Sequence, residues 1–197
     1  MNLPNKISLI RIFLIPVFVL MFFLNFTGHY FVAAAIFAVA AITDFIDGHI
    51  ARSRNLVTNL GKFLDPIADK VLVATAFILL LTVKEDIFAK FGVATDAVYI
   101  AVSIFVCLIL ARELIISAFR QIAAASGIVL AAEKLGKYKT AFQDFCITVL
   151  IAAGGFSGTF GVIVAYVGLS LFAVAAVLTV ISGVSYVVKN KQVLKGQ

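Results

Sequence analysis

Six apolar stretches separated by short polar connections set the pattern of this chain, over about residues 12–27, 30–50, 66–83, 97–118, 140–156 and 160–188. A helix that crosses the hydrocarbon layer needs about 20 apolar residues. The pattern therefore predicts an all-α integral membrane protein with six transmembrane helices and room for no separate soluble domain, so that residues 1–197 form a single membrane domain. Ahead of the first span, MNLPNKISLIR is polar. Pro4 and Asn5 favour a helix start, and Ser8 and Arg11 lie three apart and share a face. A short N-terminal helix lying along the interface is expected there. Asn25, Gly28 and His29 mark the far end of span one. The 52–62 stretch reads as a polar connection. Span three begins either at Asn59, which would enclose Pro66, or with Asp65 as its cap, which would put Pro66 at its favoured first position. In both cases Asp65 and Asp69 are expected near the helix N-terminus, whose dipole favours anions. Residues 84–96 read as a loop carrying both signs of charge. Span four continues as a helix toward Ala125, interrupted by Arg112, Glu113 and Arg120. Residues 127–139 read as a connection, with Lys137 and Lys139 in it.

Composition agrees. The chain is 63% hydrophobic and only 13% charged, against about 25% charged in soluble domains, and its mean hydropathy is +1.13. The net charge of +6 reports on topology rather than nucleic acid, because no basic stripe carries interleaved aromatics. With both termini cytoplasmic, the inside ends and loops hold Lys6, Arg11, Arg52, Arg54, Lys62, Arg112, Arg120, Lys134, Lys137, Lys139 and the tail lysines. The outside holds only Lys84 and Lys90. The basic-then-apolar N-terminus lacks a small-residue cleavage site and reads as a retained span. The two cysteines, Cys107 and Cys146, sit in apolar runs and are expected to be buried free thiols. Absence of an internal repeat weighs against transporter folds. Gly154 and Gly158 allow either a close helix contact, as in a dimer, or a turn.

One polar stretch stands out against this background: DFIDGHIARSRNLVTNLGKFLDPIADK, residues 44–70. It holds four of the chain's ten carboxylates, Asp44, Asp47, Asp65 and Asp69. Asp44 and Asp47 are three apart and Asp65 and Asp69 four apart, so each pair can aim at one point from its own helix. Clustered carboxylates repel one another and are costly to desolvate. Divalent cations resolve both problems, and hard oxygen ligands suit Mg2+ or Mn2+, ions that usually also hold substrate phosphates. Gly48 and Gly61 leave room for a ligand or a second backbone. The plainer reading makes these aspartates caps and solvated loop residues paired with Arg52, Arg54 and Lys62. Ionisable residues at membrane depth are functional by default.

A second, cationic group comprises Arg112, Arg120, Lys137 and Lys139. Arginine forks hold phosphate oxygens in pairs, so a carboxylate–metal cluster facing this group suits phosphoryl chemistry on two phosphorylated partners. Arg112 and Arg120 are about 12 Å apart along a helix and would need a curved cavity or the two lysines to close on one small anion. Alternatively, all four are ordinary inside-flanking charges.

The pattern D-x2-D-G-x2-A-R-x8-G-x3-D-x3-D resembles the signature of the CDP-alcohol phosphatidyltransferases at every defined position. N-L-P-N at 2–5 with Arg11, A-R-E-L-I-I at 111–116 with Arg120, and G-K-Y-K-T at 136–140 are most similar to the bacterial members that act on CDP-diacylglycerol and glycerol 3-phosphate. Ser8 stands where the resemblance leads one to expect threonine, and the hydroxyl is kept. The resemblance implies a homodimeric six-helix fold in the cell membrane with a cytoplasmic metal centre of two Mg2+ (or Mn2+) ions. It implies transfer of a phosphatidyl group from CDP-diacylglycerol to sn-glycerol 3-phosphate with release of CMP. It also implies that Asp44, Asp47, Asp65 and Asp69 bind metal and that Asp69 is in addition the catalytic base. Asn5, Ser8, Gly48, Arg52 and Thr58 would bind CDP-diacylglycerol, and Arg112, Arg120, Lys137 and Lys139 glycerol phosphate. Rival readings are the same chemistry on inositol phosphate, serine or phosphatidylglycerol, and, from another class, a divalent-cation channel or transporter. The basic group favours a phosphorylated acceptor, and arginines beside the carboxylates would repel a permeating cation.

Overall fold

The computed structural model describes residues 3–53, 59–125 and 134–191, with side chains for 7–43, 67–124 and 135–191. Every regular element among the described residues is helical. Three long helices come first: α1 (Leu3–Phe23), α2 (His29–Ser53) and α3 (Asn59–Thr82). A short α4 (Lys84–Ile87) and a 3-10 segment (Phe88–Ala94) follow, then α5 (Thr95–Ala125), α6 (Lys134–Gly155) and α7 (Gly158–Lys189). Each of the six long helices overlaps one of the six apolar stretches.

Apolar residues at three- and four-residue spacing explain the packing. On α1, Ile15, Phe18 and Phe22 are buried against Tyr30, Ala33 and Phe37 of α2. The Phe18 and Phe37 rings lie 5.8 Å apart, and Phe22 meets Tyr30 edge-on at 5.6 Å. The α6–α7 pair is the most extensive, and α2 also packs on α6, α1 on α3 and α5 on α7. Small residues let α6 and α7 approach closely. A Cβ on Gly168 would lie 2.7 Å from Leu150 Cδ2 and 3.3 Å from the Leu150 backbone nitrogen.

The outer face is as apolar as the core, with Ile10, Phe13, Leu114, Ile115 and Phe145 all exposed. So large an apolar exterior fits a bilayer rather than water. By length and composition, Lys84–Ala124 and Gly158–Lys189 can each cross a membrane, while the apolar helices Ile7–Phe23 and His29–Thr43 are shorter.

Several expectations change. The N-terminal stretch is not a separate interfacial helix: it continues into span one as a single helix, and Ser8 and Arg11 are completely buried. Packing of α1 against both α2 and α3 outweighs the polarity of that stretch. Helix α3 starts at Asn59, so Pro66 lies inside it, and no acidic residue falls in its first turn. Asp69 is therefore in the third turn, where the end dipole has faded. The 84–96 segment is helical rather than loop, because Ile87, Phe88 and Phe91 are buried; only Gly92, at φ +59°, interrupts it. Lys137 and Lys139 stand on α6, not in a connection. Cys146 is buried but Cys107 is exposed on α5. Gly158, at φ +63°, forms the turn into α7, while Gly154 ends α6 against the Tyr30 ring.

Candidate active site

Helices α3, α5 and α6 enclose a cavity of about 250 Å³. Its polar lining is Asp69 and Lys70 from α3, Glu113 from α5, and Lys139, Thr140 and Gln143 from α6; Val71, Val73, Ala74, Leu110 and Leu114 complete the wall. Helix spacing explains the arrangement. Lys139 and Gln143 sit four apart, on the face of α6 that continues into Cys146, Ile147 and Leu150 of the core. Leu110, Glu113, Leu114 and Ser117 share one face of α5.

Glu113 is the centre of the polar network. Its Oε1 accepts from Arg112 Nη1 at 3.1 Å and also from Lys139 Nζ. Lys139 is almost completely enclosed, its side chain 6% exposed against 21% for Glu113. Ser117 Oγ donates to the Glu113 carbonyl at 2.6 Å and accepts from Lys70 Nζ. Arg112 Nη2 donates to Ser182 Oγ on α7 at 3.0 Å. Arg120 Nε donates to the Tyr186 hydroxyl at 3.1 Å, and its guanidinium carbon lies 5.2 Å from the Tyr186 ring centroid. Carboxylates and cations thus meet inside an apolar bundle, where an unpaired charge is costly and a paired one is held firmly.

Asp69 and Lys139 both line the cavity, from α3 and α6, and Arg112 meets Lys139 through Glu113. Arg120 is exposed, two turns further along α5, and Lys137 is exposed at the start of α6, off the cavity wall. Ser8 is buried in α1 and does not line the cavity. Asn5 stands on α1, Asp44, Asp47, Gly48 and Arg52 on the last turns of α2, and Asp65 on α3. Their side chains, and all of Thr58, lie outside the described residues. Among the described side chains no three metal-ligating groups gather, and the side chains of the three aspartates that would join Asp69 are not among them.

Sequence reading missed Lys70, Gln143 and Ser117, and it took Glu113 only as an interruption of span four. The signal was present for two of them: Glu113 and Ser117 share a helix face, and Lys70 adjoins Asp69. The pairing of Glu113 with Lys139 is set by two helices meeting, which no local pattern encodes.

The profile of the CDP-alcohol phosphatidyltransferases matches residues 1–188. The chain is 40% identical over 186 residues to a CDP-diacylglycerol–glycerol-3-phosphate 3-phosphatidyltransferase of Rickettsia typhi, covering 94% of each chain. Proteins of the same name from Shigella flexneri serotype 5b and Escherichia coli K12 are 41% and 40% identical over 187 residues, covering 94% of this chain and 92% of theirs.

Proposed function

The chain belongs to the CDP-alcohol phosphatidyltransferases, and from that membership we propose that it transfers the phosphatidyl group of CDP-diacylglycerol to sn-glycerol 3-phosphate, giving phosphatidylglycerophosphate and CMP. The observation that carries this reading is the identity of about 40% across 94% of the chain to relatives named for that reaction. The cavity supports it, since carboxylates (Asp69, Glu113) and cations (Lys70, Lys139) share its lining.

In this reading Asp69 takes the proton of the acceptor hydroxyl. The freed oxygen bonds to the phosphatidyl phosphorus, the bond from that phosphorus to the bridging oxygen breaks, and CMP leaves with the electron pair. Arg112, Arg120, Lys137 and Lys139 receive the acceptor phosphate. Asn5, Ser8, Gly48, Arg52 and Thr58 hold the CDP part. The donor set suits a hard divalent cation: α2 and α3 pack together, each carries a carboxylate pair at helical spacing, and Asp69 lines the cavity. Asp44, Asp47, Asp65 and Asp69 would hold two Mg2+ or Mn2+ ions, which when bound neutralise the pyrophosphate and make CMP a better leaving group.

The chain is one domain with six membrane spans, α1, α2, α3, α5, α6 and α7. The excess of Lys and Arg at one set of helix ends supports a cytoplasmic location for both termini and the site at the cell membrane. The family resemblance supports a homodimer.

The test is CMP release by purified protein with CDP-diacylglycerol and Mg2+, comparing glycerol 3-phosphate, inositol phosphate, serine and phosphatidylglycerol. Release with glycerol 3-phosphate alone is expected. Release with another acceptor would reassign the cationic group, and no release from folded protein would favour the cation-pathway reading.

A further inference from the structure

Helix α7 lines no part of the cavity, yet its inward face is not wholly apolar. Thr179, Ser182 and Tyr186 follow one another at three- and four-residue spacing and are each 3% exposed or less. All three hold a polar side chain of the cavity or its basic flank. Gln143 Nε2 donates to Thr179 Oγ1 at 3.5 Å, Arg112 Nη2 to Ser182 Oγ at 3.0 Å, and Arg120 Nε to the Tyr186 hydroxyl at 3.1 Å. The Ser182 hydroxyl spends its own hydrogen on the Thr179 carbonyl at 3.2 Å, which leaves its lone pairs for Arg112. Beside it, Gly183 makes room for the arginine: a Cβ there would lie 3.0 Å from Arg112 Cγ and 3.2 Å from Nε.

We propose that this polar stripe of α7 sets the acceptor specificity of the reaction, with Ser182, Gly183 and Tyr186 as positioning residues for the two arginines that receive the acceptor phosphate. This rests on the acceptor reading above. The reason is geometric. Arg112 and Arg120 are eight residues apart on α5, about 12 Å. Their anchors on α7 are four residues apart, about 6 Å. The attachment points on α7 are thus closer along the bundle than the two arginines' own places on α5, which favours both guanidiniums acting on one phosphate. A guanidinium carries five N–H donors. Arg112 Nε is buried with no hydrogen-bond partner among the described residues, so Ser182 and Glu113 hold the group without exhausting its donors.

The experiment is steady-state kinetics of the full-length protein in detergent with both substrates varied, together with competitive inhibition by inorganic phosphate. Ser182→Ala removes one hydrogen bond to a charged group and is expected to raise KM for glycerol 3-phosphate, and Ki for phosphate, about tenfold. KM for CDP-diacylglycerol should stay within about twofold, and Ser182→Thr, which keeps the hydroxyl, should restore both values. Tyr186→Phe keeps the ring under Arg120 and should raise the glycerol 3-phosphate KM about threefold; it serves equally if Ser182→Ala does not fold. Unchanged acceptor KM in both variants, an equal rise for both substrates, or failure of Ser182→Thr to rescue would overturn the role of α7. Wild-type protein that ignores glycerol 3-phosphate would instead overturn the acceptor reading, and the variants would then be compared with the acceptor it does use.

Discussion

Replacing Glu113 by Gln should destabilise the protein and at the same time make it bind phosphate better. The carboxylate oxygen accepts from both Arg112 and Lys139. Breaking one side of a fully buried ion pair costs about 3–5 kcal/mol, while exposed pairs contribute about 0–1. Here the side chains are 17% exposed for Arg112, 21% for Glu113 and 6% for Lys139, and Arg112 keeps Ser182 as a partner. A loss of about 2 kcal/mol follows, chiefly from Lys139, equivalent to roughly 4–8 °C in Tm for a chain of this size. The same substitution removes an anion that competes for the cations an incoming phosphate would use. A tenfold tighter phosphate Kd corresponds to about 1.4 kcal/mol, well within the roughly 4 kcal/mol of a charge 4 Å away at an effective dielectric of 20. At a phosphate concentration equal to the wild-type Kd, wild type gains about 0.4 kcal/mol and the variant about 1.4. Phosphate should therefore close about half of the stability gap. Thermal unfolding in metal-free detergent buffer, with and without inorganic phosphate, measures this. Equal phosphate shifts in the two proteins would refute the view that Glu113 occupies the place of a substrate anion.

Asp69→Asn should lower kcat by at least about a hundredfold, the usual scale for a general base, while CDP-diacylglycerol binding by equilibrium titration is partly retained; a near-normal rate would remove Asp69 from the base role. Chelation with EDTA should abolish CMP release, and Mg2+ or Mn2+, but not Ca2+ at equal concentration, should restore it; activity that survives chelation would dismiss the four-aspartate metal site. Gly168→Ala puts a methyl 2.7 Å from Leu150 Cδ2 and should cost about 1–3 kcal/mol by forcing α6 and α7 apart. Gly136→Ala, whose Cβ meets nothing within 4 Å, should leave Tm unchanged or slightly raised through helix propensity. Equal Tm changes in these two variants would show that close α6–α7 packing is unimportant.

The long helices were legible because the hydrophobic runs are long and the connections short. Their ends were less so. Pro66 argued for a helix starting beside it, but packing of α3 against α1, α5 and α6 outweighs the hydrogen bond a proline forfeits. Residues 84–96 looked like a loop by charge, yet Ile87, Phe88 and Phe91 turn inward and fold them into helical turns. The same limit applies to the site. Asp69 and Lys139, each singled out within a sequence motif, line one cavity, and Arg112 meets Lys139 through Glu113. Glu113 was visible as a charge, but its partnership with Lys139 depends on how α5 meets α6. The Thr179–Ser182–Tyr186 stripe was hidden because each residue alone is an unremarkable member of an apolar run.

That hidden part bears on how an apolar bundle could hold the proposed anion site at all. A pocket meant for a phosphate needs cations in excess, and such cations are costly while the pocket waits empty. Two devices in this bundle lower that cost. Glu113 lends a carboxylate to Lys139 and Arg112, and α7 lends hydroxyl groups to Arg112 and Arg120. Neither device contributes equally to every acceptor. An acceptor bearing a phosphate can replace the contacts of Glu113 and keep those of α7, so it gains from both. A neutral alcohol can replace neither, and the ion pairs would stay closed against it. On the proposed acceptor reading, charge would thus separate phosphorylated from unphosphorylated acceptors before any contact with the rest of the molecule. Among the phosphorylated ones, selection falls to the apolar wall of Val73, Ala74 and Leu110 and the size of the space it leaves. Enlarging that wall with Leu110→Ala should admit inositol phosphate without admitting serine, and serine turnover by that variant would show that charge is not the first filter.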